Sequence, residues 1–137
     1  MVLLDEVLDY APERLKAGLT VRADSRFFVP GHGVPAHVGI EYMAQACGAY
    51  AGLEALALGQ PVRLGFLLGT RSFQASAPWF TEGAQLVVTA APIFREGQMA
   101  VFDCEIHDTA GNRATARLTV FQPEDATAFR GVEAEGI

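Results

Sequence analysis

The sequence has 137 residues, half of them apolar and 19% charged, which suits one folded domain and excludes both disorder and two comfortable cores. Ten basic against sixteen acidic residues leave a net charge of −6, the wrong sign for a protein whose main partner is a phosphate backbone. Two cysteines, Cys47 and Cys104, argue against a disulfide scaffold or a four-ligand zinc site. No basic segment followed by an apolar stretch opens the chain, so the expectation is a protein of the cytoplasm without a signal peptide.

Met1 to Tyr10 opens with Val2-Leu3-Leu4 and reads as a short strand ending near Ala11-Pro12-Glu13. Leu15 to Ala23 reads as a second, with Leu15, Ala17, Leu19, Val21 and Ala23 on one face. Phe27 to Pro35 packs two prolines and two glycines around His32, which predicts an apolar loop. Ala36 to Ala57 then lacks proline, and Gly59 and Pro61 punctuate its end, so it is a helix with Pro35 at its entry. Val38, Ile40, Met43, Ala46, Cys47, Ala51 and Leu53 are among apolar residues that cover nearly every face, the mark of a helix buried on all sides. Glu41, Gln45 and Glu54 interrupt the run, which argues against a membrane span.

Four strands follow: Val62 to Ser72, Ala84 to Ile93, Gln98 to His107 and Asn112 to Gln122, separated by turns such as Arg95-Glu96-Gly97 and Asp108 to Asn112. The tail from Glu124 onward is acidic, rich in Gly and Ala, and reads as loose. One flat sheet cannot bury a helix on all sides. The pattern therefore predicts a single α+β domain over residues 1–137, a hotdog-like curved antiparallel sheet wrapped around one long central helix. Its open sheet edges favour pairing with a second subunit.

Glu41 is the first candidate for chemistry. It lies early in the apolar helix with Gln45 one i,i+4 step further on the same face. A carboxyl group in that setting needs partners or a raised pKa, and a raised pKa suits a general acid. It can equally be a structural glutamate, bonded to loop amides or exposed at a subunit interface. His32 stands between glycines that let backbone approach a ligand, just before a helix N-terminus that favours developing negative charge. The bland alternative is a solvated loop histidine. His37, four residues before Glu41, shares its face and is either a neutral base or a surface histidine. His107 reads as part of a solvated strand face, and Cys47 as a small core residue. No His-x-His or HExxH spacing occurs, so no metal site is expected. Trp79 and the phenylalanines read as core or tunnel lining.

The segment from Val34 to Ala46, with Pro35-Ala36, Gly39-Ile40-Glu41-Tyr42 and Ala44-Gln45-Ala46, resembles the helix-entry motif of hotdog-fold 3-hydroxyacyl-acyl-carrier-protein dehydratases. It is most similar to the aryl-polyene-type, ApeP-like branch. The run from Gly65 to Gly69 and on to Gly83-Ala84-Gln85-Leu86 resembles the next two strands of that family. The resemblance implies a tunnel at a dimer interface, with a His from one subunit facing a Glu from the other. The His removes the α-proton of a pantetheine-linked substrate, the Glu helps the β-hydroxyl leave as water, and helix-entry amides hold the thioester carbonyl. Glu41 matches the family carboxylate. The family's usual His-Phe-Pro places its His where Phe27 stands; the closer branch has a His-Gly pair before the Pro, and His32-Gly33 is its counterpart offset by one residue. His32 is thus the first choice of base and His37 the second. Gln45, Gly39, Phe27, Leu68 and Gly69 are assigned to substrate binding by the same resemblance.

The implied reaction is dehydration of a 3-hydroxyacyl thioester, on acyl carrier protein or coenzyme A, to the trans-2-enoyl thioester in fatty-acid or polyene-type lipid synthesis. It calls for no cofactor. The implied partners are the carrier, a second copy of the chain and a second dehydratase. The alternatives are a hotdog acyl thioesterase and a non-catalytic acyl-thioester binding or partner subunit.

Overall fold

A computed structural model describes residues 2–63 and 65–123. The tail from Glu124, Met1 of the first strand and Leu64 of the third lie outside the described residues. The chain runs β1 (Glu6–Ala11), β2 (Arg14–Thr20), β3 (Val34–Pro35), a 3-10 turn (Ala36–Val38), α1 (Gly39–Ala57), β4 (Phe66–Ala75), β5 (Trp79–Phe80), β6 (Gln85–Glu96), β7 (Met99–His107) and β8 (Arg113–Phe121). Six strands form one antiparallel sheet in the order β1-β2-β6-β7-β8-β4, and β3 and β5 form a separate pair. β2, β7 and β8 follow the sequence pattern because they alternate, and the turns after β6 and β7 carry Gly97 and Asp108.

One face of the sheet makes the core. Leu15, Ala17 and Leu19 of β2, Leu86, Val88 and Ala90 of β6, Phe102, Cys104 and Ile106 of β7, and Ala114, Ala116 and Leu118 of β8 are buried against α1. The helix answers with Gly39, Tyr42, Met43, Ala46, Cys47 and Tyr50, a single stripe at helical spacing. Within the single chain the helix buries this one stripe. Glu41, Gly48, Leu56 and Ala57 are exposed, as is Leu58 at the helix end, and the rest of the outer face is half-buried. Alanines and glycines made every face look apolar while demanding little burial.

Boundaries also move: the strand expected over Val62–Ser72 runs Phe66–Ala75, and that over Ala84–Ile93 runs Gln85–Glu96. Residues 2–5 precede β1 instead of opening it: the Leu3 amide donates to Gln45 Oε1 at 2.7 Å and the Asp5 amide to the Gly18 carbonyl at 2.9 Å, so the segment is laid across the helix. β2 stops at Thr20 because Arg22 to Ser25 folds into a turn, in which the Arg22 amide donates to Ser25 Oγ at 2.7 Å. The helix ends as the glycine predicts, with Gly59 at φ +67° and the Gln60 amide reaching back to the Ala55 carbonyl at 2.8 Å.

Candidate functional site

The His32 loop is a closed turn. The Val29 amide donates to the Gly33 carbonyl at 2.7 Å, and the His32 and Gly33 amides donate to the Val29 carbonyl at 3.0 and 2.9 Å. Gly33 then feeds β3, which pairs with β5 so that Val34 faces Phe80 and Pro35 faces Trp79. The Ala36 amide donates to the Pro78 carbonyl at 2.9 Å, extending the contact to the helix entry. The exposed His32 imidazole stacks on Trp79, with ring centroids 4.6 Å apart and planes 23° apart. The sequence marks Trp79 as core or tunnel lining and does not signal this contact. Nothing periodic links residues 32 and 79; a two-residue strand pair brings them together.

Glu41 lies in the first turn of α1 and is exposed in the single chain. His37 is exposed on the 3-10 turn immediately before it. Among the described residues no hydrogen bond or ion pair joins Glu41 to His32 or His37. The three residues lie on successive segments, the loop, the 3-10 turn and the helix start, and the β3–β5 pair runs between the first two. Tyr42, next to Glu41, points inward and is 2% exposed. Burial, and then the negative charge of Asp5, pushes its phenol up to about 12, so it is a neutral hydroxyl at working pH.

The residues assigned to substrate binding scatter. Gly39 is buried, its amide turned back to the carbonyls of Ala36 and His37, and an added Cβ would stand 3.0 Å from Ile106 Cδ1 and 3.3 Å from Phe80 Cε2. It lets the helix start pack against the sheet. Gln45 uses its Oε1 to hold the Leu3 amide. Phe27 is 48% exposed with φ +67°, and Arg26 lies over its ring at 5.8 Å. Positive φ is a strained setting for a bulky side chain. Leu68 and Gly69 lie on β4, at the edge of the sheet, where Leu68 is 57% exposed.

Further along α1, Tyr50 and Glu54 meet Arg95 of β6. The guanidinium donates to Glu54 Oε1 and Oε2 at 2.7 and 2.8 Å and to the Tyr50 hydroxyl at 2.9 Å, while that hydroxyl donates to the Pro12 carbonyl at 2.7 Å. The Arg95 hydrogen bonds hold the Glu54 carboxyl below the usual carboxylate range. This latch borders a cavity of about 650 Å³ floored by Cys47, Ala51 and Phe102, which Glu41 and the candidate histidines do not line. Cys47 and Cys104 are free and buried, Sγ to Sγ 3.6 Å, and the hydrogen bond between them, with burial, raises the Cys47 thiol. His107 stands on the outer face with Nδ1 enclosed and 3.6 Å from Glu105 Oε1, too far for a hydrogen bond. Among the described residues no group of three or more His, Cys, Asp or Glu is gathered to hold a metal ion, and no helix is long and apolar enough to cross a membrane.

The family model of the ApeP-like dehydratases, described as ApeP dehydratase, matches residues 1–131. No curated protein matches the chain. Among solved structures, the dehydratase heterocomplex ApeI:P from Xenorhabdus doucetiae is similar at 27% identity and TM-score 0.84, over 96% of this chain and 89% of that one. AziG from S. sahachiroi is similar at 23% identity and TM-score 0.61, over 86% and 91%. The PaaI protein of E. coli, from the phenylacetic acid degradation operon, is similar at 17% identity and TM-score 0.64, over 85% and 81%. The last two likenesses establish the shared hotdog fold, α+β with one helix packed on a six-stranded antiparallel sheet.

Proposed function

This chain belongs to the ApeP-like family of dehydratases, and we propose that it removes water from a 3-hydroxyacyl thioester carried on acyl carrier protein or coenzyme A, giving the trans-2-enoyl thioester. His32 takes the α-proton. The electron pair of that C–H bond becomes the new double bond as the bond from the β-carbon to oxygen breaks, and Glu41 gives its proton to the departing hydroxyl. The thioester oxygen gains charge meanwhile, and amides at the helix entry are the donors that suit it. His37, four residues before Glu41, is the second choice of base and the control in any substitution series.

What supports this reading is the family match together with the short run of chain, braced by the β3–β5 pair, that leads from the His32 loop into the helix start bearing Glu41. Both side chains are open in the single chain. An acid–base pair needs a dry site, so the reading includes a second subunit that covers them. The exposed β4 edge, with Leu67 and Leu68 40% and 57% exposed, is the surface proposed to pair. The ApeI:P neighbour is a heterocomplex of dehydratases, which supports pairing with a second dehydratase as well as with another copy of this chain. A cytoplasmic place in lipid synthesis completes the proposal.

The test supplies purified protein, alone and with a companion dehydratase, with a 3-hydroxyacyl thioester and follows products by mass spectrometry. The 2-enoyl thioester is the expected product. Free thiol release without it would identify a thioesterase, and tight binding without turnover a partner subunit.

A further inference from the structure

The indole of Trp79 is placed where the His32 ring would otherwise swing freely. His32 is exposed and sits at the tip of a tight turn, so its backbone is fixed but its imidazole has solvent around it. The contact with Trp79 is face to face, 4.6 Å between centroids and 23° between planes.

The strand register explains why the indole is available. β5 has two residues, and successive side chains of a strand point to opposite faces. Phe80 points inward, 6% exposed, with its ring 6.2 Å from that of Tyr42. Trp79 must then point outward, over Pro35 and toward the loop that leads into β3. Anchoring Phe80 in the core therefore fixes the height and plane of Trp79, and the β3–β5 pairing fixes it relative to His32. Phe80 also abuts Gly33, where any Cβ would stand 2.2 Å from the Phe80 carbonyl oxygen. The loop cannot slide away from this platform without losing that close fit.

We propose that Trp79 is the positioning residue for His32: its indole holds the imidazole plane so that the ring nitrogen addresses the substrate α-carbon. The proposal rests on the reading of His32 as the base. A nitrogen base accepts a proton only along its in-plane lone pair, so a ring free to rotate spends part of its time aimed elsewhere. Aromatic stacking of this kind biases the ring by about two- to tenfold over its other rotamers. A loss of that size belongs in turnover and not in substrate affinity, because Trp79 acts through His32.

Two readouts test this. In the proton NMR spectrum of the wild-type protein, the His32 ring protons, assigned by their loss in His32→Ala, are expected upfield of free histidine through the indole ring current. Trp79→Leu fills the space without an aromatic face and is expected to move those signals to the free position. The same variant is expected to lower kcat about two- to tenfold with KM unchanged, and Trp79→Phe to restore most of both. Identical His32 shifts in wild type and Trp79→Leu would remove the stack and the proposal with it. A lost shift with full kcat would also overturn it. Unchanged turnover in His32→Ala with the ring-current shift present in wild type would instead overturn the base assignment, and with it any role for Trp79 in catalysis.

Discussion

Gly33 lies against the carbonyl of Phe80 so closely that an added Cβ would stand 2.2 Å from that oxygen, and its φ of +117° is a conformation L side chains avoid. Gly33→Ala is therefore expected to destabilise the fold by about 1–3 kcal/mol and to push the His32 loop off β5. Thermal unfolding reads the first effect and the His32 ring-proton shift reads the second. A Gly33→Ala protein that melts with the wild type and keeps that shift would show that the contact is looser than described.

The Tyr50–Glu54–Arg95 latch makes a pH-dependent contribution. Because hydrogen bonds from Arg95 depress the Glu54 pKa in the folded state, the stability they add is present above the unfolded pKa of the carboxyl group and is lost as pH falls through the folded one. Both side chains are partly exposed, so the pair is worth no more than about 1 kcal/mol. Denaturant titrations should show Glu54→Gln less stable than wild type at neutral pH and converging with it in acid. A gap that stays constant into acid would assign the loss to packing.

Tyr50 offers a pH-independent companion. Its hydroxyl joins helix, β6 and the β1–β2 turn, so Tyr50→Phe is expected to cost about 1 kcal/mol in denaturant unfolding at neutral pH. No loss would mean that the Pro12 carbonyl and Arg95 are satisfied by water instead.

The β4 edge carries the proposed subunit contact. Leu68→Lys places a charge on a strand edge that would otherwise pair, and sedimentation is expected to show a smaller assembly than wild type, with the far-ultraviolet circular dichroism unchanged. An unaltered assembly would move the interface to another surface.

The core pair of thiols should be slow. Cys47 and Cys104 are 1% and 4% exposed, and their mutual hydrogen bond raises the Cys47 thiol. Maleimide labelling at neutral pH is expected to be negligible in the folded protein and complete in denaturant. Rapid labelling without denaturant would reveal an opening of the helix–sheet seam.

Much of this architecture is legible in the residues. β7 and β8 alternate so regularly that their inward faces, Phe102-Cys104-Ile106 and Ala114-Ala116-Leu118, follow from period two alone. The helix limits follow from Pro35 and Gly59. Its burial does not, because Ala and Gly satisfy an apolar pattern on any face and even Leu56 is 66% exposed; the inner stripe of Tyr42, Met43 and Tyr50 emerges only from the packing. β3 and β5 are too short to alternate, so the His32–Trp79 contact they create leaves no periodic signal. Glu41 stands out as a carboxyl group early in an apolar helix, while its exposure depends on what covers the helix start.

Dehydration by this route requires the Glu41 carboxyl group to act as the acid. Glu41→Gln keeps the shape and removes the proton donor. With a 3-hydroxyacyl thioester substrate, its rate of 2-enoyl product formation is expected to fall by about a hundredfold or more, with the assembly and melting temperature of the wild type. Turnover equal to the wild type in that folded variant would contradict the account.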